Sequence, residues 1–294
     1  MHEALQQFIE TRLPLIDQRL HELIMATNMP ENLKKAMAYS VDAGGKRIRP
    51  LLVLATLQDI GKRSDDALTV ACAVEMIHTY SLIHDDLPCM DDDDFRRGKP
   101  TNHKVFGEAV AVLAGDALQA LAFRSLTELG STPPEKAVAI MKLLGSASGA
   151  EGMVGGQILD MEGEDKQLSL EELETVHLNK TGALLSFCIE AGAILGDLDE
   201  KGSAQLRTYA KNIGLAFQIK DDILDITSTT EQLGKTAGSD TSSQKSTYPS
   251  LLGLEGAIER LEYHHQTAKE AIGFLGDDSS MLGMFADYIV ERNS

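Results

Sequence analysis

Two short stretches set carboxylates close together, DDLPCMD at 85–91 and DDILD at 221–225. Carboxylates crowded in this way resist ionising together and need a cation or a basic partner between them. In the second stretch Asp221 and Asp225 are four residues apart, so on a helix they project about 40° from one another, on one face. Asp222 lies near that face, three residues before Asp225. The surrounding helix is apolar (Ile219, Ile223, Leu224, Ile226), and charge on such a surface is costly unless it is compensated. In the first stretch Asp85 and Asp86 end a helix that Pro88 blocks, because proline disfavours helical geometry at Leu87. Asp91, six residues past Asp85, would point about 120° away on an unbroken helix; the break at Pro88 can return it to the same side. Oxygen donors without Cys or a compact His set favour Mg²⁺, which binds through one or two carboxylates, water and substrate phosphates. Two such clusters predict several ions, with Asp92 to Asp94 as a solvated remainder.

The cationic side comes in pieces. AGGKRIRP at 43–50 is a glycine turn followed by Lys46, Arg47 and Arg49, with Pro50 at an expected first helical position, where backbone N–H groups favour anions. Arg96 and Arg97 follow the first aspartates directly, HLNKTGALL puts Lys180 and Thr181 inside a helix, and a long polar stretch at 227–249 adds Lys235 and Lys245. His78 is seven residues before Asp85, hence on nearly the same helical face. Carboxylate clusters, Mg²⁺ and several Lys/Arg suit a diphosphate held as leaving group, with metal and cations taking the charge that develops on departure. No G-x-x-x-x-G-K-[ST] loop and no Ser-His-Asp or Cys-His arrangement occurs. A metal-dependent phosphohydrolase built on His84-Asp85 would need further histidine ligands and leaves 46–49 unexplained. Departure of a diphosphate from carbon, inside a helical apolar cavity that keeps water from a cation, fits better.

The elements that must position these residues read as helices. Period-3.6 patterns recur near 3–24, 31–42, 51–60, 66–86, 107–129, 135–148, 170–195, 201–224, 255–273 and 278–291, and convincing strand alternation is absent. An all-α single domain over 1–294 is expected, its core fed by 43% hydrophobic residues. Thr132-Pro133-Pro134-Glu135 and Ser169-Leu170-Glu171-Glu172 each offer a capping hydroxyl with Glu three residues later. The 227–249 stretch is long for a structureless loop and reads as a functional lid or disorder. Cys72, Cys89 and Cys188 are odd in number and scattered, which suggests neither a disulfide framework nor a zinc site and fits a reducing cytoplasm. The N-terminus lacks a basic segment followed by an apolar core, and its nearest apolar run, LLVLA at 51–55, is too short for a bilayer, so a soluble, cytoplasmic chain without a membrane segment is expected. A formal charge of −18 opposes binding to nucleic acid or anionic lipid.

In order, GGKRIRP, DDLPCMD with RRG, GGQ with Asp160, KTG, FQIKDDILD, LGKTAG and KSTYPSLLG resemble the trans-isoprenyl diphosphate synthase family along essentially the whole chain. The resemblance implies an all-α bundle around a deep central cavity, generally a homodimer. It implies that Asp85, Asp91 and Asp221, supported by Asp86, Asp222 and Asp225, bind Mg²⁺, three ions with substrate present. Arg96, Lys180, Thr181, Gln218 and Lys235 would hold an allylic diphosphate, dimethylallyl or geranyl, with Thr181 and Gln218 near the cation. Lys46, Arg49, His78 and Arg97 would hold isopentenyl diphosphate, and Lys245 is a further candidate contact. In this family the fifth and fourth positions before the first aspartate set product length. Here these are Tyr80 and Ser81, and with the two-residue insertion they resemble the bacterial farnesyl-forming type rather than geranyl- or geranylgeranyl-forming relatives. After Lys235 the chain reads TAGSD where many relatives carry a further lysine. A terpene cyclase of the same fold would be expected to have an aromatic pocket and a different second metal motif, whereas this chain has no Trp and 5% aromatics. A silent regulatory subunit would have lost the aspartates.

Overall fold

The computed structural model describes residues 1–164, 166–228, 246–276 and 280–292. Its helices are α1 (Glu3–Met25), α2 (Glu31–Val41), α3 (Ile48–Asp59), α4 (Ala67–Asp85), α5 (Asn102–Phe106), α6 (Glu108–Thr127), α7 (Pro134–Ser148), α8 (Met153–Gly163), α9 (Leu170–His177), α10 (Ala183–Leu195), α11 (Glu200–Thr227), α12 (Tyr248–Ala271) and α13 (Met281–Glu291). One π-turn, Leu178–Gly182, joins α9 to α10, and a two-stranded hairpin, β1 (Phe95–Arg96) and β2 (Lys99–Pro100), follows the first aspartates. The all-α expectation holds. Lys235, Lys245 and the LGKTAG motif lie outside the described residues.

The centre is made by helices with no polar face. α4 buries every residue from Val70 to Ile77, Glu75 being the one charged side chain in that run, and α10 buries residues all round its circumference. A helix that is apolar on every side has to be surrounded. α3 packs on both, α6 lies along α4, and α11 runs beside α10 and α12. With 28 residues, α11 is about 42 Å long at 1.5 Å per residue, which carries DDILD deep across the bundle.

Several boundaries differ from the sequence reading. α3 starts at Ile48, not Pro50, with Arg47 as its N-cap at φ 48°. α11 continues to Thr227, so DDILD sits within a helix. α12 begins at Tyr248 and bends at Gly253 (φ 72°). Ser169 and Glu172 form the expected capping box. Thr132 does not cap α7: its hydroxyl and amide both donate to Asp66, and Pro133 is the N-cap. α8 and α5 are additional.

Among the described residues, two segments are long and apolar enough to cross a membrane by length and composition alone, 108–127 and 170–195. Within the bundle α6 buries Ala111, Ala114, Leu118, Leu121 and Ala122, and α10 is an inner helix.

Candidate active site

Beyond the end of α4 the chain folds back on itself. The Asp91 N–H donates to the Asp85 carbonyl at 2.8 Å, and the Met90 and Asp92 N–H groups both donate to the Leu87 carbonyl. The insertion around Pro88 is thus a tight turn that returns Asp91 to Asp85. The consequence is electrostatic: burial, then the Asp91 and Asp86 carboxylates, push the Asp85 carboxyl up to about 6, against the opposing pull of Lys180 and Arg96.

The hairpin divides the two arginines. Arg97 and Gly98 both have positive φ (53° and 74°), the signature of a type I′ turn, and Arg96 pairs with Lys99 across it. Arg96 turns back to donate to Asp86 at 2.5 Å and Asp93 at 3.1 Å. Arg97 goes the other way and donates to the Gly44 carbonyl in the glycine turn. There it helps surround His78, whose imidazole is held well below its ordinary value by burial and by the nearby guanidinium groups of Arg49, Arg97, Arg96 and Arg47. These surroundings favour the neutral imidazole.

The cluster at 46–49 splits into two jobs. Arg47 is 3% exposed and donates to Glu75 (2.8 Å), Asp17 (2.9 Å) and the Val41 carbonyl (2.6 Å). It is a buried strut. Arg49 instead lines a cavity of about 490 Å³ together with His78, Tyr80, Ser81, His84, Asp85, Gln157, Lys180 and Thr181. Burial disfavours its charge, while Glu75 and Asp221 favour it, so this one side chain links the cavity to the second aspartate cluster. Lys46 is exposed, its ammonium pulled down by partial burial and Arg292 and supported by Asp221.

Lys180 and Thr181 sit in the π-turn, a conformation that recurs at functional sites because it re-aims side chains within a helix. Lys180 donates to Asp160 of α8 at 2.7 Å, and Thr181 donates to the Gln218 side-chain oxygen at 3.1 Å. The π-turn touches α8 at Gly156, where an added Cβ would lie 2.2 Å from the Lys180 nitrogen and 2.6 Å from its Cα. Only glycine allows that approach. Tyr80 is 6% exposed and faces the same cavity from α4.

The six aspartates fall into two sets. Asp86, Asp222 and Asp225 are each 3% exposed, whereas Asp85 and Asp221 are half-buried and Asp91 is exposed. Asp222, expected beside the metal, accepts from the Tyr248 N–H at 2.9 Å and lies 4.0 Å from His177, which stacks on the Tyr248 ring. It anchors the start of α12. Asp86 is engaged by Arg96, which leaves Asp85, Asp91 and Asp221 as the accessible carboxylates. Among the described residues no group of three or more His, Cys, Asp or Glu side chains converges as a preformed cage. A hard cation is held by one or two carboxylates and substrate phosphates, and Asp85, lifted by burial and then by its carboxylate neighbours, is one of an all-oxygen donor set of that kind.

Two residues escaped the sequence reading of the site. Asp160, of the GGQ motif, holds Lys180, a contact its local sequence does not signal. Arg292, past the end of α13, donates to Asp221 at 2.7 Å and to the Phe217 carbonyl at 3.0 Å while lying over the Phe217 ring. An isolated arginine near the last residue carries no local signal; its partner is 71 positions away.

The sequence matches the polyprenyl synthetase family over residues 30–274. It is 53% identical to the farnesyl diphosphate synthase of Bacillus subtilis (strain 168) over 100% of both chains. It is also 49% identical to geranylgeranyl pyrophosphate synthase 9, chloroplastic, of Arabidopsis thaliana, over 90% of this chain and 75% of that one. The fold aligns with the apo crystal structure of an FPP/GFPP synthase from Zymomonas mobilis at a TM-score of 0.87 and 41% identity, covering 99% of this chain and 100% of that one. With most of its length matched and full-length relatives near half identity, the chain belongs to the polyprenyl synthetase family.

Proposed function

We propose that this chain is a Mg²⁺-dependent prenyltransferase that condenses isopentenyl diphosphate with dimethylallyl and then geranyl diphosphate, giving (2E,6E)-farnesyl diphosphate and diphosphate. The observation that carries the reading is a buried tyrosine, Tyr80, facing a cavity that Asp85 and Lys180 also line. Relatives named for farnesyl and for geranylgeranyl products are both near half identical, so product length rests on that tyrosine.

Asp85, Asp91 and Asp221 would hold the ions, three with substrate bound, and Asp86, Asp222 and Asp225 would support them. Bound Mg²⁺ supplies Lewis-acid neutralisation of the departing diphosphate. Arg96, Lys180 and Lys235 bind the allylic diphosphate, with Lys180 aimed by Asp160. The Thr181 hydroxyl and Gln218 amide, already in contact, turn their dipoles toward the carbon whose C–O bond breaks. Lys46, Arg49, His78 and Arg97 hold isopentenyl diphosphate, whose double bond forms the new C–C bond; the proton then lost goes to the departed diphosphate. A neutral His78 donates a hydrogen bond there without adding charge. The cavity wall would keep water from the cation, which water would otherwise capture. We place the enzyme in the cytoplasm as a homodimer, without nucleic-acid or membrane partners; exposed Val105, Val112 and Leu113 on α5 and α6 offer an apolar face for the second copy.

Incubation with Mg²⁺, isopentenyl diphosphate and dimethylallyl diphosphate, followed by chain-length determination, tests the reading. It expects a fifteen-carbon product and none after chelation. A ten- or twenty-carbon end product refutes the length assignment, and release of inorganic phosphate without condensation refutes the reaction class.

A further inference from the structure

Behind Asp85 the cavity wall depends on a contact between α4 and α6. The His84 ring lines the cavity and meets the Tyr80 ring edge to face, with centroids 5.6 Å apart and planes at 74°. Its Nε2–H donates to the Val112 carbonyl on α6 at 3.1 Å. The ring fits there because residue 115 is glycine: a Cβ added to Gly115 would lie 2.1 Å from Nε2, 2.6 Å from Cδ2 and 3.0 Å from Cε1. Gly115 has no positive φ and sits within a regular helix. Its backbone does not require glycine; the imidazole does. Gln119, one turn further along α6, is the polar side chain beside the Tyr80 hydroxyl.

We propose that the Gly115 notch and the His84–Val112 hydrogen bond are a specificity-determining device: they fix the His84 ring, and through it the Tyr80 ring, as the stop that ends chain growth. Both are positioning residues. They act on Tyr80 rather than on the reacting atoms, and the inference rests on the reading of Tyr80 as the cavity stop. Removing the ring frees Tyr80 on one side and deepens the cavity. Filling the notch expels the ring, and the open side available to it is the cavity it already lines, so the cavity becomes shallower.

The two perturbations have opposite signs, and their combination has a third outcome. With isopentenyl diphosphate, Mg²⁺ and geranyl diphosphate, His84→Ala is expected to raise the ratio of twenty- to fifteen-carbon product roughly tenfold, the factor expected when an edge-to-face pair and a hydrogen bond are lost together. Gly115→Ala is expected to lower kcat/KM for geranyl diphosphate relative to dimethylallyl diphosphate, also roughly tenfold, and to accumulate ten-carbon product. In the double variant the colliding ring is gone, so use of geranyl diphosphate returns and the product lengthens. If Gly115→Ala does not fold, His84→Ala alone still decides through product length. Tyr80→Ala is the control. If it lengthens the product while His84→Ala leaves the distribution unchanged, or if the Gly115→Ala defect persists in the double variant, the inference is wrong and the Tyr80 reading stands. If Tyr80→Ala itself leaves length unchanged, the Tyr80 reading fails and takes this inference with it.

Discussion

Asp85 is raised to about 6, so before any cation binds, its charge works against folding. The unfolded chain ionises this carboxyl near pH 4 and the folded one only near 6, and the folded state is penalised wherever the first is charged and the second resists. The penalty is absent below both values, grows from pH 4 to 6, and is complete above 6. From the two pKa values it amounts to about 1 kcal/mol at pH 4.5 and about 3 kcal/mol at pH 7.5, an upper bound because half-burial leaves some screening by water. Asp85→Asn removes it. In chelator, urea unfolding should therefore find the variant more stable than the parent at pH 7.5, with the gap narrowing toward pH 4.5. Mg²⁺ with diphosphate should stabilise the parent more than the variant, whose activity should be nearly gone. A variant less stable than the parent at pH 7.5 in chelator, or a gap that does not narrow with acid, would refute the idea that crowded carboxylates are strained until a cation arrives.

Arg47→Met leaves Glu75, 2% exposed, as a buried charge without its guanidinium, which should cost about 3–5 kcal/mol in denaturant unfolding. By contrast Lys46→Ala and Arg49→Ala should raise KM for isopentenyl diphosphate; a kinetic defect in Arg47→Met without loss of stability would contradict the division of labour. Gly156→Ala drives a methyl into the Lys180 backbone and should cost about 1–3 kcal/mol by thermal melting, with KM for the allylic substrate raised as Lys180 is displaced. Tyr80→Ala should shift the product toward twenty carbons by chain-length determination.

What could be read in the sequence was local. Pro88 announced the break that returns Asp91 to Asp85, and the Ser169 capping box held because both partners lie within four residues. The failures have long-range causes. Thr132 had the same motif, but Asp66 takes its hydroxyl from 66 residues away. α8 was hidden by Gly155 and Gly156, which depress helix propensity; packing against Lys180 requires the second of them. Asp221 and Asp222 are neighbours on one helix, yet Asp221 meets Arg292 and Asp222 is buried under Tyr248. The helical wheel grouped them; α12 and the C-terminal arginine divide them. The π-turn at Lys180 likewise follows from contacts between elements rather than from periodicity.

The central claim is that each condensation adds one five-carbon unit to an allylic diphosphate through a new C–C bond, and that growth stops at fifteen carbons against Tyr80. Its most direct test is the stoichiometry with labelled isopentenyl diphosphate, geranyl diphosphate and Mg²⁺. Each geranyl diphosphate consumed should take up one label, release one diphosphate and appear as farnesyl diphosphate. Uptake of two labels, or inorganic phosphate released with no label in the prenyl product, would contradict it.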